Sequence, residues 1–296
     1  MRWYANVREV VGGGGGGGGA TVVLAHGYGA NQALWDKLLP ALSQRNRVIL
    51  FDWDFTGGGE QQPEEEGRYT FGRFADDLIA LLDNNGVRGA VMVGHSMSAM
   101  AACIASVRRP DLFSHLVLLC ASPRYINSPE EGYVGGFEKA GIDGMLDAMS
   151  SDFVSWVKGF VPNAVGDPAS VPPVEESFLA MRPGVALEVA RMIFLGDQRE
   201  ALGAVTAPCT IVQVEGDFAA PPGVAEHMRR LMARAAATDV VIIDSVGHFP
   251  QLVAPQQLLG VLEGVLRRHG GGEDGRAHGG AVEEQVADGG INIITA

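Results

Sequence analysis

Residues 90–100 read AVMVGHSMSAM and place one serine, Ser96, between an apolar run and a helical pattern. The run Ala90–Val93 has the composition of a strand that is covered on both faces. Small residues around the serine allow the sharp strand-to-helix turn that holds a nucleophile in the G-x-S-x-G motif. Here the motif reads Gly94-His95-Ser96-Met97-Ser98, and serine, which is also small, replaces the last glycine. Gly-x-Ser alone also occurs in ordinary turns, so it is the flanking strand and helix that predict a nucleophile elbow at Ser96.

Short apolar runs alternate with helical patterns on both sides of this turn. Further strands are predicted at Thr21–His26, Val48–Asp52, His115–Cys120, Thr210–Val214 and Val240–Asp244, and helices at Phe71–Asp83, Ser98–Ser106, Gly223–Ala235 and Pro255–Arg268. Such alternation is typical of βαβ units around a mostly parallel sheet. The predicted fold class is therefore α/β, with a sheet that helices cover on both faces.

Two residues further along the chain are placed to activate the serine. A serine is a weak nucleophile until a base removes its proton, and a carboxylate must orient that base. In α/β folds with a nucleophile elbow, the acid and then the histidine follow the serine in the chain. Asp217 comes just after a predicted strand, and His248 lies in a glycine-containing loop past the next one. Glu215 is the competing acid, but its position within the strand makes it less able to reach His248. We predict a Ser96, Asp217 and His248 catalytic triad.

The loop after the first predicted strand, AHGYGANQALW at residues 25–35, adds a fourth element. Backbone N–H groups aimed at a developing oxyanion stabilise the tetrahedral intermediate of acyl transfer. We predict that the two donors are Tyr28 N–H and Met97 N–H, the second at the N-terminus of the helix after the nucleophile. His26 and His95 are interpreted as structural residues of the loop and the turn.

The stretch at residues 123–202 interrupts the alternation. It contains helical segments such as Gly144–Phe160 and Glu175–Phe194 but no convincing strand. We interpret it as a helical cap inserted into a core of residues 20–122 and 203–269. The stretch is rich in large apolar side chains, and we expect most to pack the cap on the core and the rest to line an apolar ligand cavity.

The two ends of the chain and one internal run are expected to lie outside the core. Residues 1–19 include the glycine run Gly12–Gly19, which has maximal backbone freedom, and are predicted to be a flexible N-terminal segment. Residues 270–296 are glycine-rich and acidic, and are predicted to be a disordered tail. The acidic run Glu60–Glu66 is interpreted as a solvated loop.

Composition excludes several classes of function. The formal net charge is -13, and no stretch is basic enough to bind a phosphate backbone, so nucleic acid and anionic membranes are not expected partners. No run of about 18 apolar residues predicts a membrane span. The three cysteines lie in apolar runs, as reduced core residues do, which favours an intracellular protein. No H-E-x-x-H, C-x-x-C or phosphate-binding loop is present, so we expect no metal and no cofactor.

Longer stretches point to one family. HGYGANQALWDKLLPAL at 26–42, VGHSMSAMAACIASVRRPDLFSHLVLLCASPRYIN at 93–127, GGFE at 135–138 and GHFPQL at 247–252 closely resemble the plant strigolactone and karrikin receptor family of α/β-hydrolases. The resemblance spans about residues 20–268. It implies an α/β-hydrolase fold under a V-shaped cap of four helices, and a protein that binds and slowly cleaves apolar butenolide ligands. It also implies association with an F-box protein and with repressor proteins, in the cytoplasm and the nucleus.

The resemblance also assigns site residues by position. Ser96, Asp217 and His248 match the family triad, and the residues that match aromatic pocket walls are Tyr28, Phe137, Trp156, Phe160 and Phe194. Tyr28 replaces the usual phenylalanine and would add a hydroxyl near the nucleophile. FDWDFTGGG at 51–59 and the loop that follows Asp217 also depart from the receptors' usual pattern, which favours the receptor-like paralogue branch.

Three hypotheses remain open at this level. The first is a slow serine hydrolase that acts on ester or enol-ether bonds and serves as a receptor or receptor-like protein. The second is an ordinary carboxylester hydrolase with fast multiple turnover, and the third is an interaction protein with a relic triad. Epoxide hydrolase and haloalkane dehalogenase chemistry is disfavoured because it needs an aspartate in place of Ser96.

Overall fold

The structure is a computed structural model that describes residues 4–12, 19–55 and 69–269 and the backbone of residues 291–294. Three predicted features fall wholly or mostly outside these residues: the glycine run over 13–18, the acidic run Glu60–Glu66 and the tail over 270–290. Within the described part of the chain, no helix is long and apolar enough to cross a bilayer.

Eight strands form one sheet. They are β1 (Tyr4–Val11), β2 (Thr21–Ala25), β3 (Arg47–Trp53), β4 (Ala90–His95), β5 (Phe113–Leu119), β6 (Cys209–Gly216), β7 (Thr238–Val246) and β8 (Ile291–Ile294). Their order across the sheet is β1-β3-β2-β4-β5-β6-β7-β8. The pairs from β3 to β7 are parallel, and the edge strands β1 and β8 run antiparallel to their neighbours. The predicted α/β class with a mostly parallel sheet is confirmed.

The two edge strands were not predicted. β1 pairs with β3, with Tyr4 opposite Trp53, so the expectation of a flexible segment is wrong over Tyr4–Val11. Most of its side chains are exposed, so backbone pairing with β3 rather than an apolar pattern holds it in place. β8 pairs with β7, so the expected disorder of the tail is wrong for Ile291–Ile294, a short run rich in β-branched residues.

Eleven α-helices occur in the described residues. They are α1 (Leu39–Leu42), α2 (Phe71–Asn84), α3 (Met97–Arg108), α4 (Lys139–Ser151), α5 (Phe153–Val165), α6 (Val171–Leu179), α7 (Pro183–Leu195), α8 (Arg199–Leu202), α9 (Pro222–Leu231), α10 (Pro250–Val253) and α11 (Pro255–His269). One apolar cluster joins a face of the sheet to α2, α3 and α9, and a second joins the other face to α1 and α11. Helices therefore cover the sheet on both faces.

Five helices, α4 to α8, lie between β5 and β6, and the first four, α4 to α7, are called the cap below. The sequence predicted one continuous helix at Gly144–Phe160 and another at Glu175–Phe194. Both predictions are wrong, because each segment is divided between two helices. The first is interrupted at Asp152, whose extended backbone ends α4 and whose side chain accepts a hydrogen bond from Ser155 N, capping α5. The second is interrupted before Pro183, because the residue that precedes a proline disfavours helical backbone angles.

A buried histidine holds the loop after β2 in place and makes the stability of the protein depend on pH. His26 Nδ1 donates to Gly27 O at 2.8 Å, and Nε2 accepts from Trp53 N at 2.9 Å. Protonation would remove the acceptor for Trp53, and burial lowers the pKa of His26 from 6.5 to about 4. Between these values the unfolded chain binds the proton and the folded protein does not, so stability falls as the pH falls.

We expect His26 alone to lower the free energy of unfolding by about 2 kcal/mol between pH 8 and pH 5. The measurement is urea unfolding of the wild type and of His26→Gln at both pH values. The glutamine offers Trp53 N–H an oxygen but does not titrate, so the variant should lose that part of the pH dependence. Equal pH dependence in the two proteins would contradict this assignment.

Candidate active site

Ser96 lies between β4 and α3 in a strained backbone conformation. Its φ of 55° and ψ of -118° are unusual for a residue with a side chain, and surrounding contacts must maintain them. Ser96 N donates to Leu119 O of the neighbouring strand at 2.8 Å. A Cβ at Gly94 would lie 2.7 Å from Ala99 N, so the first motif position must be glycine. This is the geometry of a nucleophile elbow.

The serine at the last motif position has a role of its own. Ser98 is fully buried, and its hydroxyl donates to His26 O at 2.5 Å while accepting from Trp53 Nε1 at 2.8 Å. The hydroxyl thus joins the helix after the elbow to the loop after β2. This explains in physical terms why the departure from glycine is accommodated.

The structure brings Ser96, Asp217 and His248 into one hydrogen-bonded chain. His248 Nε2 lies 2.9 Å from Ser96 Oγ, and His248 Nδ1 lies 2.7 Å from Asp217 Oδ2. The second oxygen of Asp217 accepts from Ala219 N at 2.8 Å and from Ala220 N at 3.3 Å. A carboxylate held by donors places the histidine proton on Nδ1, which leaves Nε2 free to accept the serine proton.

The competing acid lies elsewhere. Glu215 is an exposed residue of β6, whereas Asp217 is buried two positions later beside His248. The residue order of the turn after β6 therefore decides which carboxylate meets the imidazole.

The loop that carries His248 is attached to the cap. His248 N donates to Ala164 O of α5 at 2.7 Å. Gly247 has a φ of 76°, and a Cβ there would overlap the carbonyl of Val165. Glycine at this position lets the histidine loop approach the end of α5 closely.

The two residues predicted to supply the oxyanion N–H groups, Tyr28 and Met97, belong to segments that adjoin the nucleophile. Met97 is the first residue of α3. The loop with Tyr28 passes directly over the elbow, since a Cβ on Gly27 would lie 3.0 Å from Ser96 Cβ. The Tyr28 hydroxyl, however, donates to Ala186 O of α7 at 2.8 Å, so it holds the cap and is not directed at the nucleophile as the sequence suggested.

A narrow cavity opens above Ser96 and His248. The cavity has a volume of about 30 Å³, which is enough for one or two waters. The residues that line it are Tyr28, His95, Ser96, Tyr125, Phe160, Ala164, Phe178, Ile193, Phe194, Phe218, Ala219, His248 and Phe249. The walls are mainly aromatic, and the polar groups converge at the triad.

Of the five predicted wall residues, Tyr28, Phe160 and Phe194 line the cavity, whereas Phe137 and Trp156 do not. Trp156 lies behind Phe160, with ring centroids 4.7 Å apart. Phe137 lies behind Phe194 at 6.3 Å. These two aromatic residues therefore pack against wall residues and do not line the cavity themselves.

Four aromatic wall residues were not predicted, namely Tyr125, Phe178, Phe218 and Phe249. Phe218 and Phe249 each follow a triad residue, and that adjacency was a usable signal. Phe218 is 38% exposed, so it lies at the cavity mouth. Phe178 comes from α6, and nothing in its local sequence indicates that it faces Tyr28 with ring centroids 5.2 Å apart.

Three possible metal donors lie together near the triad. Donor atoms of His95, Cys120 and His248 are within 4.8 Å of one another. Both ring nitrogens of His248 are already engaged, and burial near Asp217 raises the pKa of the Cys120 thiol, which keeps it protonated. A protonated thiol is a poor ligand, so these residues do not fit a metal ion.

Comparisons with known proteins agree with this geometry. A family model described as "Alpha/beta hydrolase family" matches residues 22–261. Strigolactone esterase D14 of Arabidopsis thaliana is 40% identical over 248 residues, covering 83% of this chain and 91% of the relative. Karrikin insensitive 2 receptor IA of Petunia hybrida is 40% identical over 251 residues, covering 82% and 88%.

Solved structures show the same fold. The hydrolase olei00960 from Oleispira antarctica has a TM-score of 0.78 and 26% identity, covering 88% of this chain and 94% of that one. The enol-lactonase from Burkholderia xenovorans LB400 has a TM-score of 0.72 at 18% identity, covering 88% and 96%, which is a likeness of fold alone.

Proposed function

We propose that this chain, which belongs to the α/β hydrolase family and to its strigolactone and karrikin receptor branch, is a receptor-like serine hydrolase for small butenolide ligands. The observation that carries the proposal is the hydrogen-bonded chain from Asp217 through His248 to Ser96, buried beneath an aromatic cavity.

The reaction we propose is acyl transfer through Ser96. Its Oγ attacks the ligand's carbonyl carbon while its proton passes to His248 Nε2, and Asp217 stabilises the imidazolium. The bond to the leaving oxygen then breaks, and His248 returns the proton to that oxygen. Water attacks the acyl-serine, gives a proton to His248, and releases the acid as Ser96 regains its hydrogen. Tyr28 N–H and Met97 N–H hold the oxyanion in both steps.

The aromatic cavity supports a small, flat ligand. The cavity as it stands has room for only one or two waters, so side chains or cap helices must move to admit any larger molecule. Rings from three cap helices line it: Phe160 on α5, Phe178 on α6 and Phe194 on α7. Once side chains or cap helices have moved to open the cavity, a planar lactone ring can stack on such walls while its carbonyl reaches the serine.

The attachment of the cap to the triad supports the receptor half of the proposal. Phe160, which lines the cavity, and Ala164, which accepts from His248 N, lie one turn apart on α5. A ligand that displaces Phe160 therefore acts on the helix that holds the base. We propose that this movement alters the surface met by an F-box protein and repressor proteins, in the cytoplasm and the nucleus.

The test is the time course of fluorophore release from a profluorescent butenolide. We expect release in a burst about equal to the protein concentration, followed by slow turnover. Fast linear turnover would instead favour an ordinary carboxylester hydrolase. Release no faster than with Ser96→Ala would overturn the proposal and favour an interaction protein with a relic triad.

A further inference from the structure

The side chain of His95, the residue before the nucleophile, contacts the backbone of the catalytic histidine. It is 1% exposed, and its Nε2 lies 2.8 Å from His248 O. A carbonyl oxygen can only accept, so His95 Nε2 carries the hydrogen and donates it. Nδ1 is then the bare nitrogen, and it has no hydrogen-bond partner among the described residues.

The two polar backbone groups of His248 are thus held from opposite sides. His95 of the elbow binds the carbonyl, and Ala164 of α5 binds the N–H at 2.7 Å. Because these two groups are fixed, the imidazole can move only by rotation about its side-chain torsions. Those torsions are in turn limited by the contacts of the ring with Asp217 and Ser96.

Burial keeps His95 suited to this task. It lowers the pKa of His95 well below the ordinary value, and a positive charge on His248 acts in the same direction. His95 therefore remains neutral when His248 becomes an imidazolium during turnover, and its hydrogen stays on Nε2.

We infer that His95 is a positioning residue, whose Nε2–H holds the His248 carbonyl so that the imidazole stays between Asp217 and Ser96. The inference rests on the proposed hydrolase function and deepens it, because it gives a specific role to a residue that the sequence predicted to be only a structural part of the turn. His95 acts through His248 and needs no contact with the reacting atoms.

The test compares His95→Gln with His95→Met in the full chain. Glutamine places an amide N–H₂ the same number of bonds from Cα as Nε2, and methionine has a similar length but no donor. With p-nitrophenyl acetate as probe, we expect kcat of the glutamine variant within about threefold of wild type. The kcat of the methionine variant should fall by about 10- to 100-fold with KM unchanged, as expected for a displaced catalytic group.

Two further readouts keep the inference open to refutation. If the methionine variant does not fold, His95→Asn takes its place. Its amide lies near the Nδ1 position, too short to reach His248 O, so it should show the same loss of kcat. The ¹H resonance of His248 Nδ1–H reports the contact with Asp217 without substrate, and it should persist in the glutamine variant and vanish in the methionine variant.

The outcomes separate the two proposals. Equal loss of kcat and of the resonance in the glutamine and methionine variants would overturn the role of His95. A wild type that hydrolyses the ester no faster than Ser96→Ala would overturn the hydrolase proposal. The resonance would then still decide whether His95 positions His248.

Discussion

Replacing Ser96 with alanine is expected to lower kcat for ester hydrolysis by about 10⁶-fold, the loss seen when a triad nucleophile is removed. The Oγ that would attack the carbonyl lies 2.9 Å from His248 Nε2, and no other hydroxyl is hydrogen-bonded to that nitrogen in the described residues. The measurement is the steady-state rate with p-nitrophenyl acetate, together with the mass of any acyl adduct.

Ser106→Ala is a matched control for this prediction. Ser106 is also a buried serine of the same region, on α3, and its hydroxyl donates to Cys103 O at 2.8 Å. Its loss should cost about 1 kcal/mol of stability and leave kcat within about twofold. If Ser96→Ala kept a tenth of the wild-type rate, the nucleophile would have to be another group.

Replacing Asp217 with asparagine is expected to lower kcat by about 10⁴-fold. The asparagine amide can donate to His248 Nδ1, which would move the imidazole proton to Nε2 and remove the acceptor for the serine. Because the shape of the side chain is almost unchanged, stability should change much less than the rate. Rates across pH 6 to 9, with thermal melting of each protein, measure both effects.

Glu215→Gln tests the choice between the two acids. Glu215 is exposed on β6 and makes no hydrogen bond to His248 in the described residues, so kcat should stay within about twofold of wild type. Loss of activity in the Glu215 variant with activity kept in the Asp217 variant would reverse the assignment of the acid.

Several features followed from the sequence alone because their causes are local. The strands from β2 to β7 are continuous apolar runs, as strands covered on both faces must be. The elbow at Ser96 needs only small residues two positions away, Gly94 and Ser98, and a strand-to-helix junction. The order of Asp217 and His248 follows from the order in which the chain passes through the sheet, so local pattern and chain order were enough to select them.

Other features depended on contacts between residues far apart in the chain. Whether an aromatic side chain lines the cavity is decided by how the cap and the loops above the sheet pack. Phe178 and Phe218 line it, whereas Phe137 and Trp156 pack against these two residues without lining it. β1 forms through pairing with β3, for which its own side chains give little signal.

The hydrogen-bond partners of single polar groups also depended on contacts between residues far apart in the chain. His95 in the elbow meets the carbonyl of a residue 153 positions later, and the Tyr28 hydroxyl meets α7 rather than the nucleophile. Sequence periodicity tells which face of an element is apolar, but not which partner a polar atom finds across the core. The sequence by itself therefore determined the fold and selected the three triad candidates, while only the tertiary structure decided the cavity walls and the support of the base.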